Sequence, residues 1–230
     1  MDRRKISYLI TSMIFLVPLG LWLLTTGNPL FYFLEDTPPG QGLYVISKGF
    51  ALLALSLFWF QCVAALTKST PNIAGFFRLS PRAHKLIGST LLALILAHVF
   101  LFFYAVSLRS GHFAFGVLIP SFSHGFYKFY VSLGVIALAL LIVGLVAGIL
   151  RSKYLNVFTR WGHRLWFVAF GLIFLHGVNI GTETRLGIML YVYYFILVSI
   201  VFLVANNAVY GLRCKLAERA QRNANVFTDG

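Results

Sequence analysis

Charged residues are scarce in this chain, and carboxylates are the scarcest of them. Only 11% of the 230 residues are charged, and aspartate and glutamate together number six. A soluble domain carries about a quarter charged residues, so the composition excludes an ordinary soluble protein. The six acidic residues all fall outside the apolar runs, which leaves no carboxylate pair spaced for hydrolysis and no Ser-His-Asp arrangement.

Cysteine and nucleotide-binding motifs are also nearly absent. Cys62 and Cys214 both fall on the predicted cytoplasmic side, so we expect no structural disulfide. No Gly-rich dinucleotide fingerprint occurs in a cytoplasmic segment, and no segment approaches the roughly 100–200 residues of a soluble module. We therefore expect one transmembrane domain over residues 1–230, with its core at 43–212 and no soluble FAD or NAD(P) domain.

Apolar residues are abundant instead: 59% of the chain is hydrophobic and 17% is aromatic. The predicted fold is an all-α membrane protein, a bundle of six transmembrane helices. The first run is too long for a signal peptide and lacks a small-x-small cleavage site, so we predict a permanent helix. The six apolar runs are Tyr8–Thr26, Tyr44–Leu66, Leu86–Leu108, Phe126–Leu150, Leu165–Ile180 with its flanks, and Leu186–Leu212.

Basic residues are strongly segregated along the chain, which carries a formal net charge of +13. Fifteen of the nineteen lysine and arginine residues lie in every second segment between the apolar runs, counting from the N-terminus: Arg3, Arg4, Lys5, Lys68, Arg78, Arg82, Lys85, Arg151, Lys153, Arg160, Arg164, Arg213, Lys215, Arg219 and Arg222. The other segments hold Lys48, Arg109, Lys128 and Arg185. The positive-inside rule then places both termini in the cytoplasm, and we expect a multi-pass protein of a bacterial inner membrane. The charge also favours anionic lipid and requires no nucleic acid.

Two pairs of histidines lie at matched depth in the third and fifth runs. His84 and His98 are 14 residues apart, and His163 and His176 are 13 apart. At 1.5 Å per residue each pair spans roughly 20 Å, about two-thirds of the hydrocarbon core. Facing helices with this pattern predict two stacked bis-histidine sites, which suit a pair of haems that carry electrons across the membrane.

The chemistry of the neighbouring residues agrees with such sites. A neutral imidazole ligates iron without adding charge, and two imidazoles fill both axial positions, which favours electron transfer. Arg82, Lys85, Arg160 and Arg164 flank the inner histidines, where they either pair with haem propionates or only set the topology. Arg109, Lys128 and Arg185 are the corresponding cations outside. Trp161, Trp166, Phe167, Phe170 and Phe174 either pack on haem faces or form the bundle core.

Two features do not follow directly from this pattern. On an α-helix, two side chains 14 residues apart point in directions that differ by about 40°. For a separation of 13 residues, the rotation between the two side chains is far from a whole number of turns. His163 and His176 therefore require a re-wound or kinked helix, with Gly171 as the candidate position, or offset haems. His112 and His124 lie in the outer loop, where ordinary loop residues are the favoured interpretation over a metal-binding role.

The spacing and the span count together resemble the ferric reductase-like transmembrane superfamily. This superfamily includes the membrane domains of NADPH oxidases and ferric reductases and the YedZ-type haem subunits. Its oxidase-type pattern has His-x13-His on the third helix and His-x12-His on the fifth, and both spacings occur here over a resemblance of about 43–212. Arg160-Trp161-Gly162-His163 is similar to the YedZ fifth helix, whereas His84 is similar to the oxidases.

The resemblance implies haem b at both sites, with His84 and His163 on the inner haem and His98 and His176 on the outer one. It also implies an oxidoreductase component. The flavoprotein domain of the oxidases and ferric reductases is not found here, so we expect electrons from a separate cytoplasmic flavin reductase or other donor, with any flavin supplied by or shared with that partner. The acceptor would be external ferric iron, oxygen or a partner protein. Two alternatives stay open: a quinol-linked cytochrome b, and a transporter that uses the histidines as a proton relay.

Overall fold

The computed structural model describes residues 3–67, 77, 79–123, 125–151, 154, 157–181, 184 and 187–228. Within these residues the regular structure is entirely helical. The α-helices are α1 (Arg3–Thr26), α2 (Gln41–Leu66), α3 (Pro81–Ser110), α4 (Gly125–Arg151), α5 (Val157–Ile180) and α6 (Ile188–Thr228). Short 3₁₀ turns occur at Pro29–Phe33 and Phe115–Leu118.

Five of these helices, α2 to α6, are long and apolar enough to cross a membrane. The protein is thus a helical, multi-pass membrane protein by length and composition. In α1 the apolar stretch among the described residues is Leu16–Thr26, which is shorter than a span. The structure therefore supports five of the six predicted crossings.

The bundle is built from two antiparallel helix pairs, α2 with α3 and α4 with α5, while α1 and α6 pack against α2. We call the end that contains residues 27–40 and 111–123 the outer end, following the predicted topology, and the opposite end the inner end. The core lies along α2, where Leu57 and Phe58 are almost completely buried. Phe58 makes edge-on ring contacts with Trp166 and Phe170 of α5, so α2 links the two pairs.

The start of α3 is determined by local sequence. The Ser80 hydroxyl accepts a hydrogen bond from the Ala83 amide at 3.1 Å, and Pro81 occupies the first turn. Both features are typical of a helix N-terminus, because they satisfy or remove amides that have no partner within the helix. The helix thus begins five residues before the predicted Leu86, and His84 lies in its first turn.

The last helix extends well past the predicted end of the span at Leu212, to Thr228. Side-chain hydrogen bonds connect it to α2. The Trp59 indole donates to the Ser199 hydroxyl at 2.8 Å, and the Asn207 amide donates to the Leu66 carbonyl at 2.7 Å. The second hydrogen bond caps the last turn of α2, where the regular hydrogen-bond ladder of a helix ends.

Candidate functional site

At the inner end, the structure brings together His84 of α3 and His163 of α5. Their ring centres are 6.2 Å apart, and the ring planes cross at 82°. The two residues belong to different antiparallel pairs, so this contact forms only when the pairs assemble. The structure thus brings the two histidines of the predicted inner site side by side.

At the outer end, His98 of α3 lies opposite His176 of α5 in a similar arrangement. The ring centres are 6.5 Å apart, and the planes cross at 77°. Phe102 stacks on the His98 ring with a centroid distance of 6.3 Å. The same two helices therefore face each other through imidazoles at two levels.

The ring separations agree with one metal ion between each pair. Bonds of roughly 2 Å between a metal and each imidazole nitrogen place the two ring centres about 6 Å apart when the rings lie on opposite sides of the ion. No group of three or more histidine, cysteine or carboxylate side chains that could hold a metal occurs among the described residues. Two imidazole nitrogens per site form a donor set that would suit a haem iron, which brings its remaining ligands with it.

Hydrogen bonds at the Nδ1 atoms orient three of these rings. His98 Nδ1 lies 2.9 Å from the Ser47 carbonyl, and His176 Nδ1 lies 2.8 Å from the Tyr130 carbonyl. His163 Nδ1 is 3.3 Å from the Gly144 carbonyl. A carbonyl oxygen only accepts, so each Nδ1 donates its proton, and the Nε2 lone pair stays available for a metal.

Helix register sets these contacts at both levels. Ser47 of α2 contacts His98 of α3, and Gln61 of α2 contacts His84 of α3. The two residues of each helix are fourteen positions apart. The Gln61 amide donates to the His84 backbone carbonyl at 3.0 Å. Antiparallel packing in constant register therefore places one residue of α2 beside each histidine of α3, with a different hydrogen bond at each level.

The fifth helix accommodates its 13-residue spacing without re-winding. It is α-helical throughout Val157–Ile180, and a Cβ atom added at Gly171 would meet no atom within 4 Å. The helix thus shows no re-wound segment at Gly171, while a kinked helix or offset haems remain the other ways to meet the 13-residue spacing. The face that a helix packs against its neighbour is at least about 100° wide, and rotation about χ1 carries a ring beyond the position of its Cβ atom. His163 and His176 therefore both reach α4, one from each flank of the same face of α5.

Between the two levels lies a narrow apolar crevice, lined by Leu91, Leu92, Ile95, Leu141, Leu145 and Trp166. The Trp166 indole is 5.9 Å from the His163 ring by centroid distance. Its Nε1 atom is buried without a hydrogen-bond partner, as is Gln61 Oε1 beside the inner pair. Phe170 and Phe174 are buried in the core.

The predicted cation cluster lies at the inner end. Arg82 and Lys85 are exposed on the first turns of α3, and Arg160 and Arg164 are exposed on the first turns of α5. The Arg164 guanidinium lies 4.9 Å from the centre of the Trp161 ring, which is itself 62% exposed. These residues flank the inner histidines along α3 and α5, where anionic groups at a membrane surface would meet them.

The outer end carries its own cations. Lys48 and Arg109 both lie over the Tyr44 ring, at 4.5 Å and 5.8 Å. The Lys128 carbonyl accepts a bond from the Ser132 hydroxyl within α4. His112 is exposed, with its Nδ1 on the Ser110 carbonyl of its own loop. Arg185 and His124 lie outside the described residues.

Sequence reasoning missed the groups that hold the rings. The carbonyls of Ser47, Tyr130 and Gly144 accept from the imidazoles, and two glycines of α4 lie against the same rings. One signal was present in the sequence: Gly134 and Gly148 are fourteen residues apart, the same spacing as His84 and His98.

Comparisons with family models, curated proteins and solved structures find no match to this chain. The resemblance to the ferric reductase-like superfamily thus depends on the histidine spacing and the helical pattern.

Proposed function

We propose that the protein is a transmembrane di-haem b cytochrome of the ferric reductase-like type, with six membrane crossings. The observation that carries the proposal is the repeated pairing of His84 with His163 and of His98 with His176 at 6.2 Å and 6.5 Å between ring centres. Three of these rings have Nδ1 on a backbone carbonyl, as metal-bound histidines usually do. Two such sites on one pair of helices suit electron passage better than a single structural metal.

The residues of the chain have distinct roles in this proposal. The four histidines would hold two haem irons, and the bound groups would supply reversible one-electron chemistry. Arg82, Lys85, Arg160 and Arg164 would attract the propionates of the inner haem. The crevice between the levels is lined by apolar side chains apart from one indole, a lining that would disfavour water along the path.

The direction of electron flow follows from the charge distribution. The inner end carries the basic residues of α3 and α5, and the positive-inside rule makes this end cytoplasmic. Electrons would enter there from a separate flavin reductase and leave at the outer end toward ferric iron, oxygen or a partner protein. The exposed cations at the inner end would steer an acidic face of the donor.

A visible spectrum tests the central proposal. We expect purified protein to show a reduced-minus-oxidised spectrum of b-type haem, and pyridine haemochrome quantitation to give two haems per chain. A proton-relay transporter would show no such bands. One haem or none in well-folded protein would contradict the proposal, and reduction by quinol without any flavin reductase would favour the quinol-linked alternative.

The topology gives a second, independent test. We expect a green fluorescent protein fused after Gly230 to fluoresce and an alkaline phosphatase at the same position to be inactive, because the basic segments hold this end in the cytoplasm. As a control, fusions after Gly116, in the outer loop, should give the opposite results. An active phosphatase after Gly230 would invert the proposed electron path.

A further inference from the structure

Two glycines of α4 lie directly against the imidazoles of α5. A Cβ atom built on Gly134 would be 2.7 Å from His176 Nδ1 and 2.9 Å from its Cε1. One built on Gly148 would be 3.1 Å from His163 Nδ1 and 3.4 Å from its Cε1. The first pair of distances is too short for any real side chain, and the second pair is tight.

Each glycine stands four residues after the carbonyl that its histidine contacts. Tyr130 precedes Gly134, and Gly144 precedes Gly148. The Cα–Cβ bond in a helix tilts toward the N-terminus, so the side chain of a residue leans over the turn that contains the carbonyl four positions earlier. A glycine at that position leaves the carbonyl accessible to a ring on the neighbouring helix.

We infer that Gly134 and Gly148 are positioning residues that set the orientation of His176 and His163 as iron ligands. The absence of a side chain lets each Nδ1 reach its carbonyl, which directs Nε2 toward the opposite histidine. A bond from Nδ1 to a carbonyl also raises the basicity of Nε2 as a ligand. This inference rests on the proposed di-haem function and deepens it.

The placement of a glycine four residues after the accepting carbonyl occurs on α4 but not on α2. There Ala51 stands four residues after Ser47, and His98 still bonds to the Ser47 carbonyl at 2.9 Å. A methyl group is therefore tolerated where the ring approaches along a different path. At Gly134 the same methyl group would require the His176 ring to move, because the ring lies within 3 Å of its position.

Alanine replacements at single glycines test the inference. In G134A the methyl group would displace the His176 ring, the movable end of a side chain, rather than separate the helices. We expect the outer site to hold haem roughly 10–100-fold more weakly, the usual effect of losing an outer-shell partner of a metal ligand. G148A should weaken the inner site in the same direction but less, since its contacts are longer.

Gly171→Ala is the matched control, because Gly171 lies in α5 between the two ligands and has open space around it. All three variants replace a helical glycine by alanine and share the same gain in helix propensity. Haem content, reduced-minus-oxidised spectra and ferric electron paramagnetic resonance are measured on purified protein. The signals of the two sites are assigned with His98→Ala and His84→Ala.

Site-selective loss in G134A and G148A, with G171A unchanged, supports the inference. Equal haem binding and identical spectra in G134A and G171A would overturn it, and so would equal loss of both sites in G134A. If G134A fails to fold, the less crowded G148A provides the same selective readout at the inner site. A wild-type protein without haem would refute the proposed function itself, which is a distinct result.

Discussion

Alanine replacement of His98 or His176 is expected to halve the haem content, from two haems per chain to one. In the proposed di-haem protein each iron would be held by one cross-bundle histidine pair, so removing a member would leave a single histidine at that level only. The other pair is roughly 20 Å away along the helices and keeps its ligands. Replacing His84 or His163 should remove the inner haem and spare the outer one.

Pyridine haemochrome quantitation and reduced-minus-oxidised spectra measure this result on purified variants. His112→Ala is the control, because His112 is an exposed histidine whose Nδ1 bonds within its own loop. It should retain both haems. Full haem content in His98→Ala, or loss of haem in His112→Ala, would show that the pairs seen in the structure are not the ligand pairs.

Electron transfer across a membrane should be abolished by the loss of either site. The two histidine pairs lie in series between the inner and outer ends, and neither alone spans the hydrocarbon core of about 30 Å. In vesicles that enclose ferricyanide, wild-type protein should accelerate ferricyanide reduction by external dithionite. His84→Ala and His98→Ala should both fall to the rate of protein-free vesicles.

His112→Ala should retain the wild-type rate in the same vesicles. The assay separates transmembrane transfer from simple haem binding, because each single-site variant still carries one haem. A full rate in His84→Ala or His98→Ala would mean that electrons bypass that site. No transfer in wild-type protein with two haems would contradict the role as a transmembrane carrier.

The helical spans were largely predictable, and their ends were less so. The predicted runs Leu86–Leu108 and Phe126–Leu150 fall inside α3 and α4, because a long apolar run fits a helix in a membrane. The start of α3 at Pro81 depends on the Ser80 cap, which a hydropathy count does not see. The polar end of α6 continues the helix to Thr228 by local propensity rather than hydropathy.

The sequence by itself determined the depth of the four histidines, the scarcity of charge within the spans and the segregation of basic residues. These are properties of position along the chain, and a helix of fixed rise converts them directly into depth. The structure alone decided the relations between helices. It placed His84 against His163, gave His176 the Tyr130 carbonyl, set Gly134 against that ring and accommodated the 13-residue spacing without re-winding α5. Such contacts depend on the register and rotation of packed helices, which small residues and side-chain shape determine only when the helices meet.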